Sequence, residues 1–353
     1  MREGLNTTPL DIDGSRGEGG GQILRTSLAL SMITGRPIAM RNIRAGRAKP
    51  GLRRQHLACV LAAQELCGAT VHGATVGSKY LEFTPGPVRD GELSIDIGTA
   101  GSTTLVVQTI LVPALAAKRT LRAVVHGGTH NPMAPPFEFL ARVFLPHLHA
   151  MGAVATLTLD RHGFAGGGSI ERDERHRGQL TLSIAPSELR PIEIVETGEV
   201  TARRATVVLA RLPTHVAERE LAIVREQLGF TAAECEIREI SEGGTGNILL
   251  LEIERAHARE LVTGFGEKGT RAELVASRAC DELASFLAAE VPVGEHLADQ
   301  LLLPFALAGG GRFRCAPLSR HATTNIETIQ MFLDVPIRVE PHGDAELVTI
   351  GRN

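Results

Sequence analysis

The sequence predicts an α+β fold in which one structural unit occurs three times. In each copy the order is helix, strand, polar loop, helix and then two strands. Two observations predict this unit. Apolar residues recur every three or four positions in each candidate helix, and the second helix of the first two copies ends in the same dipeptide, Gly-Ala, at residues 68–69 and 152–153. Because one such unit cannot bury its own apolar face, the copies must share a core.

The first copy follows a short strand predicted at Leu10 to Asp13. A glycine loop at residues 14–21 then leads into a helix on which Leu24, Leu28 and Met32 repeat at a spacing of four. The remaining elements of this copy are predicted as a strand at 38–43, a basic glycine loop at 44–51, a helix at 52–67, and strands at 70–74 and 80–84.

The second and third copies show the same order of elements. The second is predicted as a helix at 102–117, a strand at 120–125, a loop at 126–136, a helix at 137–151, and strands at 154–159 and near 168–172. The third is predicted as a helix at 296–308, a strand at 312–316, a loop that carries His321, a helix that ends at Leu333, and strands at 336–340 and 346–350.

The region between the second and third copies breaks this pattern and predicts an inserted, smaller α+β domain at residues 189–290. The large domain then comprises residues 10–188 and 291–353. Within the insertion, we expect strands at 192–196, 200–209, 234–240 and 247–254, and helices at 214–228 and after Thr270. The helix after Thr270 could pack on either domain.

Composition limits the possible functions. The net charge of −3 over 353 residues gives no overall basic field, so any contact with a polyanion must be local. The chain has one tyrosine and no tryptophan. It therefore has few large aromatic side chains on which many bases of a nucleic acid could stack. The five cysteines lie far apart, which indicates reduced thiols in a cytoplasmic protein. The longest apolar runs are too short for a membrane span, and no signal indicates an oligomeric state.

Two loops carry residues suited to phosphate or metal binding. The loop of the first copy contains Arg44, Arg47 and Lys49 within six residues, which indicates either a phosphate clamp or a solvated basic face. Glu18 is the carboxylate of the glycine loop and could hold a divalent ion that arrives with nucleotide phosphates. The glycine loop could equally be a tight structural turn, since it matches neither the dinucleotide fingerprint nor a Walker loop.

Polar residues of the second and third copies leave further alternatives open. The spacing of His126 and His130 is not fixed by a helix, which disfavours a metal site there. Asp299 and Gln300 interrupt an apolar helix, either as internal hydrogen-bonding groups or as a purine-recognition pair. His321 is predicted on a loop just before the last helix, either as an ordinary surface histidine or as a residue at the mouth of a site.

Five long segments of the chain resemble one family, the RNA 3′-terminal phosphate cyclases. They read DGSRGEGGGQILR, IRAGRAKPGLRRQH, GGTHNPMAPP, EHLADQLLLPFALAGGGRF and SRHATTNIETIQMFL, in this order along the chain. The resemblance runs from about Asp11 to the end. It implies a large domain of three repeats, similar to the C-terminal domain of a bacterial translation initiation factor and to enolpyruvyl shikimate phosphate synthase, with an inserted smaller domain.

The resemblance also implies a three-step reaction that uses ATP and a divalent metal, Mg or Mn. His321 would attack the α-phosphorus of ATP to give a covalent histidine-AMP and release pyrophosphate. AMP would then pass to the 3′-phosphate of an RNA end, and the neighbouring O2′ would displace AMP to close a 2′,3′-cyclic phosphate. A neutral imidazole can act as such a nucleophile without a strong base.

Further roles carry over by position. The resemblance implies that Glu18 places the metal and the triphosphate, and that Arg25, Arg44, Arg47, Gln55 and Gln108 contact phosphates or the RNA end. It implies that Pro135, Phe139, Asp299 and Gln300 surround the adenosine. The chain has His296 where compared members often have a tyrosine stacked on adenine, and imidazole can also stack.

Two alternative functions remain on the same fold. Eukaryotic relatives that act as non-catalytic RNA-binding scaffolds in ribosome biogenesis lack the nucleophilic histidine, so the presence of His321 disfavours this alternative. An enolpyruvyl transferase is disfavoured because the five segments do not resemble that family. The fold alone could not separate these functions.

Overall fold

The computed structural model describes residues 8–164 and 177–351. The chain has the predicted α+β fold, and the described residues form four four-stranded sheets. Three of these sheets have equivalent strand orders. When the strands of each sheet are numbered by their position along the chain, their order across the sheet is first, second, fourth, third. The elements of the first sheet and its helices are β1 (Leu10–Asp13), α1 (Gln22–Thr34), β2 (Ile38–Arg41), α2 (Arg54–Cys67), β3 (Thr70–His72) and β4 (Leu81–Thr84).

The second and third repeats have the same architecture. The second contains β5 (Gly91–Asp96), α3 (Thr103–Ala116), β6 (Leu121–Gly127), α4 (Phe137–Phe139), a π-helical turn (Leu140–Phe144), α5 (Leu145–Ala150), β7 (Val154–Arg161) and β8 (Gly178–Ala185). The third contains β9 (Glu193–Ile194), α8 (Glu295–Leu307), β14 (Gly311–Cys315), α9 (Arg320–Phe332), β15 (Ile337–His342) and β16 (Ala345–Ile350). The strand predicted near Gly168 to Arg172 lies outside the described residues.

Each repeat begins with a strand that the sequence analysis did not assign to it: β1 was predicted ahead of the first copy, β9 lies within a strand predicted at 192–196 in the insertion, and β5 was not predicted. The first strand of each sheet, β1, β5 or β9, pairs in parallel with the strand after the first helix. In β5 only Leu93 and Ile95 are buried, which leaves a weak pattern for a strand. β9 has two residues and is separated from β14 by the insertion. The pairing of these two strands therefore cannot be predicted from their positions along the chain.

The second helix of the second repeat runs from Phe137 to Ala150, close to the predicted bounds of Phe137 to Met151, but it is not a regular α-helix throughout. The π-helical turn at Leu140–Phe144 interrupts it. Pro146 provides a reason, because it has no N–H to donate to the carbonyl of Arg142 and its ring would crowd that carbonyl in a regular α-helix. Phe139 and Leu140 remain buried on either side of the start of this turn.

The helices of the three repeats pack on one another and form the main core. α1 contacts α3 and α9, and α8 contacts α3 and α9. The predicted apolar face of α1 is confirmed, since Leu24, Leu28 and Met32 are all buried. Burying side chains of this size contributes roughly 1.5–3 kcal/mol each. The first turns of α1, α8 and α9 are thereby brought together around the candidate site.

The inserted region forms the fourth sheet and a second core. Its elements are β10 (Val200–Ala210), α6 (His215–Leu228), a 3-10 turn (Ala232–Glu234), β11 (Cys235–Ile240), β12 (Gly246–Arg255), β13 (Arg259–Phe265) and α7 (Ala272–Ala288). Val207 on β10 faces α6 and α7, whereas its neighbour Val208 faces the main core. The sheet is therefore buried on both faces, and α7, the helix after Thr270, packs in the second core.

The division of the chain at residues 189 and 290 stays a prediction. Phe313 on β14 pairs with Ile194 on β9. We therefore propose that residues up to Ile194 belong with the large domain and that the insertion begins after them. Within the described residues, no helix is long and apolar enough to cross a membrane.

Candidate active site

His321 lies in the first turn of α9, not on the preceding loop as the sequence analysis predicted. Ser319 is the N-cap, and its hydroxyl accepts a hydrogen bond from the Ala322 N–H at 3.3 Å. The later cap-type residues Thr324 and Asn325 are buried inside the helix, so the helix begins earlier than their residue types indicated. Backbone N–H groups at this helix end favour an anion next to His321.

Two carboxylates flank the His321 ring. Nδ1 lies 3.5 Å from Asp299 Oδ2, and Nε2 lies 3.8 Å from Glu18 Oε2. The His321 side chain is 41% exposed, whereas Asp299 and Glu18 are 14% and 18% exposed. The imidazole is thus held between two largely buried acids and remains accessible to a ligand.

Asp299 is fixed by donors from two other helices. Its Oδ1 accepts hydrogen bonds from Gln22 Nε2 at 2.5 Å and from Asn325 Nδ2 at 2.9 Å. Thr26 in turn donates to Asn325 Oδ1 at 2.9 Å, which sets the orientation of that amide. Since Oδ1 takes both amide donors, Oδ2 is the oxygen that faces His321.

The glycine loop brings Glu18 to the start of α9. The Glu18 N–H donates to Thr324 Oγ1 at 3.2 Å, and the Glu18 carboxylate forms an ion pair with Arg47. This contact joins the glycine loop, the basic loop and α9, which come from the first and third repeats. Among the residues that the structure describes, no group of three or more metal-ligating side chains occurs. Glu18 suits a cation that takes most of its ligands from phosphates and water.

The basic loop forms a cluster of positive charge. Arg44 Nη1 donates to the carbonyls of Lys49 and Gly51, at 2.9 and 3.0 Å, so part of its guanidinium holds the loop closed. Burial and the charges of Arg53 and Arg25 lower the pKa of Arg44. Burial also lowers the pKa of Arg25. An anion at this cluster would relieve the repulsion among the guanidinium groups.

His56 is a residue of this site that the sequence analysis missed. It is buried, and burial together with the charges of Arg25, Arg44, Arg53 and Arg47 lowers its pKa to about 3. Its Nδ1 accepts the Arg53 N–H at 3.3 Å, which places the proton of the neutral ring on Nε2. The ring packs so closely against Gly21 that a Cβ atom there would clash with Nε2. The sequence feature that could have identified His56 is its position next to Gln55 in an arginine-rich motif.

A cavity of about 420 Å³ opens beside His321. Its lining contains the following predicted site residues: Arg25, Gln108, Pro135, Phe139, His296, Asp299, Gln300 and His321. The inserted sheet and α7 complete the lining with Leu261, Thr263, Phe265 and Glu282. Sequence reasoning gave the insertion no part in the site.

The other predicted residues lie around this cavity in different roles. Glu18 contacts His321 from outside the lining, and Arg47 pairs with Glu18. Gln55 Oε1 accepts the Ser102 N–H at 3.0 Å, so it joins α2 to the cap of α3. Gln108 hydrogen-bonds to Gln300 across the cavity floor. Asp299 and Gln300 were predicted either as internal hydrogen-bonding groups or as a purine-recognition pair. Both form internal hydrogen bonds.

A buried ion pair supports the cavity segment 132–136. His130 Nε2 lies 3.0 Å from Glu138 Oε2, and these side chains are 0% and 2% exposed. Burial alone would raise the pKa of Glu138, but the charge and hydrogen bond of His130 outweigh it and hold the pKa at about 2. The His130 ring stacks on Phe164 and His162. His130 is therefore a packing residue.

Comparison with known proteins shows the family of this chain. The family model described as RNA 3′-terminal phosphate cyclase matches residues 16–339. The chain belongs to the RNA 3′-terminal phosphate cyclase family.

Relatives that carry the name RNA 3′-terminal phosphate cyclase are similar to this member of the family over nearly their full length. One from Koribacter versatilis is 46% identical over 352 residues, which is 99% of this chain and 96% of the relative. One from Salmonella enteritidis is 47% identical over 342 residues, 96% of this chain and 98% of the relative. One from Pseudomonas fluorescens is 46% identical over 333 residues, 94% of each. The predicted family is confirmed.

We expect Glu138→Gln to lower the free energy of unfolding by about 3 kcal/mol, because it leaves the buried His130 without its anionic partner. Urea unfolding would measure this change. Glu273→Gln is the matched control, since it breaks an Arg219 pair whose partners are 43% and 42% exposed. The control should lower the free energy of unfolding far less, because water and salt screen the charges of an exposed pair. Equal losses in the two variants would contradict the structural importance of the buried pair.

We expect His56 to make the folded protein sensitive to acid. Its pKa falls from 6.5 in the unfolded chain to about 3 in the folded one, so the unfolded chain binds more protons between these values. Stability is therefore lost as pH falls below 6.5. His56→Gln should remove about 2 kcal/mol of the loss between pH 7.5 and pH 5, measured by urea unfolding. His342→Gln, at an exposed position on β15, should keep the wild-type pH dependence.

Proposed function

We propose that this protein converts an RNA 3′-terminal phosphate into a 2′,3′-cyclic phosphate at the expense of ATP, through a covalent histidine-AMP. The observation that carries the proposal is the placement of His321: an accessible imidazole between two largely buried carboxylates, at a helix N-terminus, beside a cavity large enough for a nucleoside. The names of the relatives support the same substrate.

In the first step, His321 would attack the α-phosphorus of ATP. Asp299 Oδ2 faces Nδ1, so it would accept a hydrogen bond from the Nδ1–H and leave the lone pair on Nε2. A bond then forms from Nε2 to phosphorus, and the bond from phosphorus to the bridging oxygen breaks, with the electron pair leaving on pyrophosphate. Asp299 acts here as an orienting group, much as the carboxylate of a catalytic triad orients its histidine.

Cations near Nε2 would stabilise the charge of the triphosphate. Arg47 lies against Glu18, and Arg25 lines the cavity, so both can reach anionic oxygens near His321. Glu18 would hold the divalent metal, Mg or Mn, which supplies further positive charge to the phosphates when it is bound. His56, with its proton on Nε2, would add a neutral donor to the same cluster.

The second and third steps would use the same residues. A terminal 3′-phosphate oxygen of RNA attacks the phosphorus of histidine-AMP, and the bond to Nε2 breaks to give RNA-3′-pp-5′-A. The O2′ then attacks the 3′-phosphorus and loses its proton, and AMP leaves. We propose the basic loop with Arg44 and Arg47, together with Gln55 and Gln108, as the region that holds the RNA end.

Pro135, Phe139 and His296 would enclose the base of ATP, with Asp299 and Gln300 beside the ribose. His296 would stack on the base as an aromatic ring. We propose that the reaction takes place in the cytoplasm, since all five cysteines are free thiols. A non-catalytic RNA scaffold is the second candidate, and the alignment of His321 with two carboxylates disfavours it because scaffolding requires no such group.

Incubation with α-labelled ATP and Mg or Mn tests the proposal. We expect label on the wild-type protein that is lost in acid and kept in alkali, as a phosphoramidate requires, and no label on His321→Ala. His342→Ala, which removes an exposed histidine of β15, should be labelled like the wild type. Label retained by His321→Ala would overturn the assignment of the nucleophile. RNA binding without any label in the wild type would favour the scaffold.

Gly17→Ala provides a second test, directed at the position of Glu18. Gly17 has φ = 52°, and a Cβ atom there would clash with Thr324 Oγ1, the acceptor of the Glu18 N–H. The variant should slow the labelling of His321 by at least about tenfold while the protein stays folded, because it displaces Glu18 from the ring. Gly77→Ala is the control, since nothing lies within 4 Å of its Cβ position and its φ is likewise positive. Equal rates in the two variants would contradict the role of Glu18.

A further inference from the structure

Helix α8 carries Asp299, the carboxylate whose Oδ2 lies 3.5 Å from His321 Nδ1. The N-cap of this helix is Gly294, which has no side chain that could accept an N–H group of the first turn. N-cap positions usually carry Ser, Thr, Asp or Asn, whose side-chain oxygen accepts one of these N–H groups. The start of α8 therefore lacks a cap from its own sequence.

The backbone conformation does not require a glycine at position 294. Its φ of −77° and ψ of 170° are extended values that Ser or Asp also adopts at an N-cap. Space is the constraint instead, because a Cβ atom on Gly294 would clash with Oε2 and Cδ of Glu260. The carboxylate of Glu260 thus occupies the place of the missing cap side chain.

Glu260 comes from the inserted sheet, where it lies on β13 and is 6% exposed. Its Oε1 accepts the Leu261 N–H at 3.0 Å. Among the residues that the structure describes, Oε2 completes no hydrogen bond, although the Gly294 N–H is near enough to favour the charged carboxylate. Burial raises the pKa of Glu260 to about 7. The positive end of a helix dipole offsets part of the cost of burying such a group.

The third repeat holds the chain immediately before α8. Val293 forms a parallel bridge with Cys315 on β14, and its carbonyl accepts the Ala316 N–H at 3.3 Å. Gly294 follows directly and meets Glu260 of the insertion. The start of α8 is therefore a point at which the large domain and the inserted sheet both contact the same few residues.

We propose that Glu260 is a positioning residue for the reaction at His321: its carboxylate caps α8 in place of a Gly294 side chain and thereby fixes where the helix presents Asp299. This inference rests on the proposed function, since it takes His321 to be the residue that ATP labels. Asp299 follows Gly294 by five residues, about 7.5 Å along the helix axis. Because a helix moves as a rigid unit over this length, a shift of its first turn also shifts Asp299. Glu260 lies outside the lining of the cavity beside His321, so it acts through the helix.

The test moves the cap from one position to the other. Glu260→Ala removes the carboxylate, Gly294→Ser adds a side chain that clashes with it, and the double variant has a serine cap with room for its hydroxyl. The rate of His321 labelling by α-labelled ATP would be measured at saturating nucleotide, where urea unfolding shows each variant to be folded. We expect each single change to slow labelling by about tenfold, because Asp299 is displaced. The double variant should return to within about threefold of the wild type, since serine is a favourable N-cap.

Glu260→Gln is the conservative variant, because it keeps the length of the side chain and an acceptor oxygen. It should retain at least about a third of the wild-type rate. Glu254→Ala is the matched control, since it removes a carboxylate of the same sheet that is 45% exposed. This control should be labelled at the wild-type rate.

Two results would overturn the positioning role while leaving the proposed function intact. The first is that Glu260→Ala is less stable in urea but labelled at the wild-type rate, which would make Glu260 a residue of the fold alone. The second is that Gly294→Ser fails to restore labelling in the Glu260→Ala background. If Glu260→Ala does not fold, wild-type labelling of folded Gly294→Ser would overturn the role instead. Absence of label on the wild type would overturn the proposed function itself, and the role of Glu260 with it.

Discussion

The site depends on the largely buried carboxylate of Asp299, which links three helices. It joins α8 to α1 through Gln22 and to α9 through Asn325, and its second oxygen faces His321. A buried carboxylate is costly unless hydrogen bonds satisfy it. The two amide donors satisfy it only when the helices of the first and third repeats are packed together, so folding of the core and alignment of the histidine depend on the same contacts.

Charge in this protein is local rather than global. The chain is slightly acidic overall, yet burial and the nearby charges of Arg25, Arg44, Arg53 and Arg47 lower the pKa of His56 to about 3. Such a cluster is unfavourable until an anion binds, and it would attract a triphosphate or an RNA end over a short range. The Glu18 carboxylate neutralises part of the cluster through Arg47 and lies next to the histidine.

The inserted sheet packs on the repeats through one face and carries its own helices on the other. This arrangement brings residues of β13 and α7 into the lining of the cavity beside His321. On the other side, the buried pair of His130 and Glu138 anchors the segment that contains Pro135. Residues from two different parts of the chain therefore line the same cavity.

The sequence by itself determined the three repeats, the family and eight of the residues that line the cavity. Helical periodicity and the turns that end each helix are local properties, so Leu24, Leu28 and Met32 could be assigned to the core from their spacing alone. The motif around His321 likewise identified a candidate nucleophile. A local signal also misled, since cap-type residues at 323–325 indicated a later helix start than the true cap, Ser319. The helix from Phe137 to Ala150 was predicted, but its apolar spacing did not indicate the π-helical turn before Pro146.

Only the tertiary structure decided which distant residues meet. The pairing of β9 with β14 spans the whole insertion, and the contact of Glu18 with α9 joins residues about three hundred positions apart. The neutral state of His56 follows from burial among four arginines, and the position of Glu260 at the start of α8 follows from packing of the inserted sheet. Such features depend on long-range packing and on desolvation, which residue types and spacing along the chain do not encode directly.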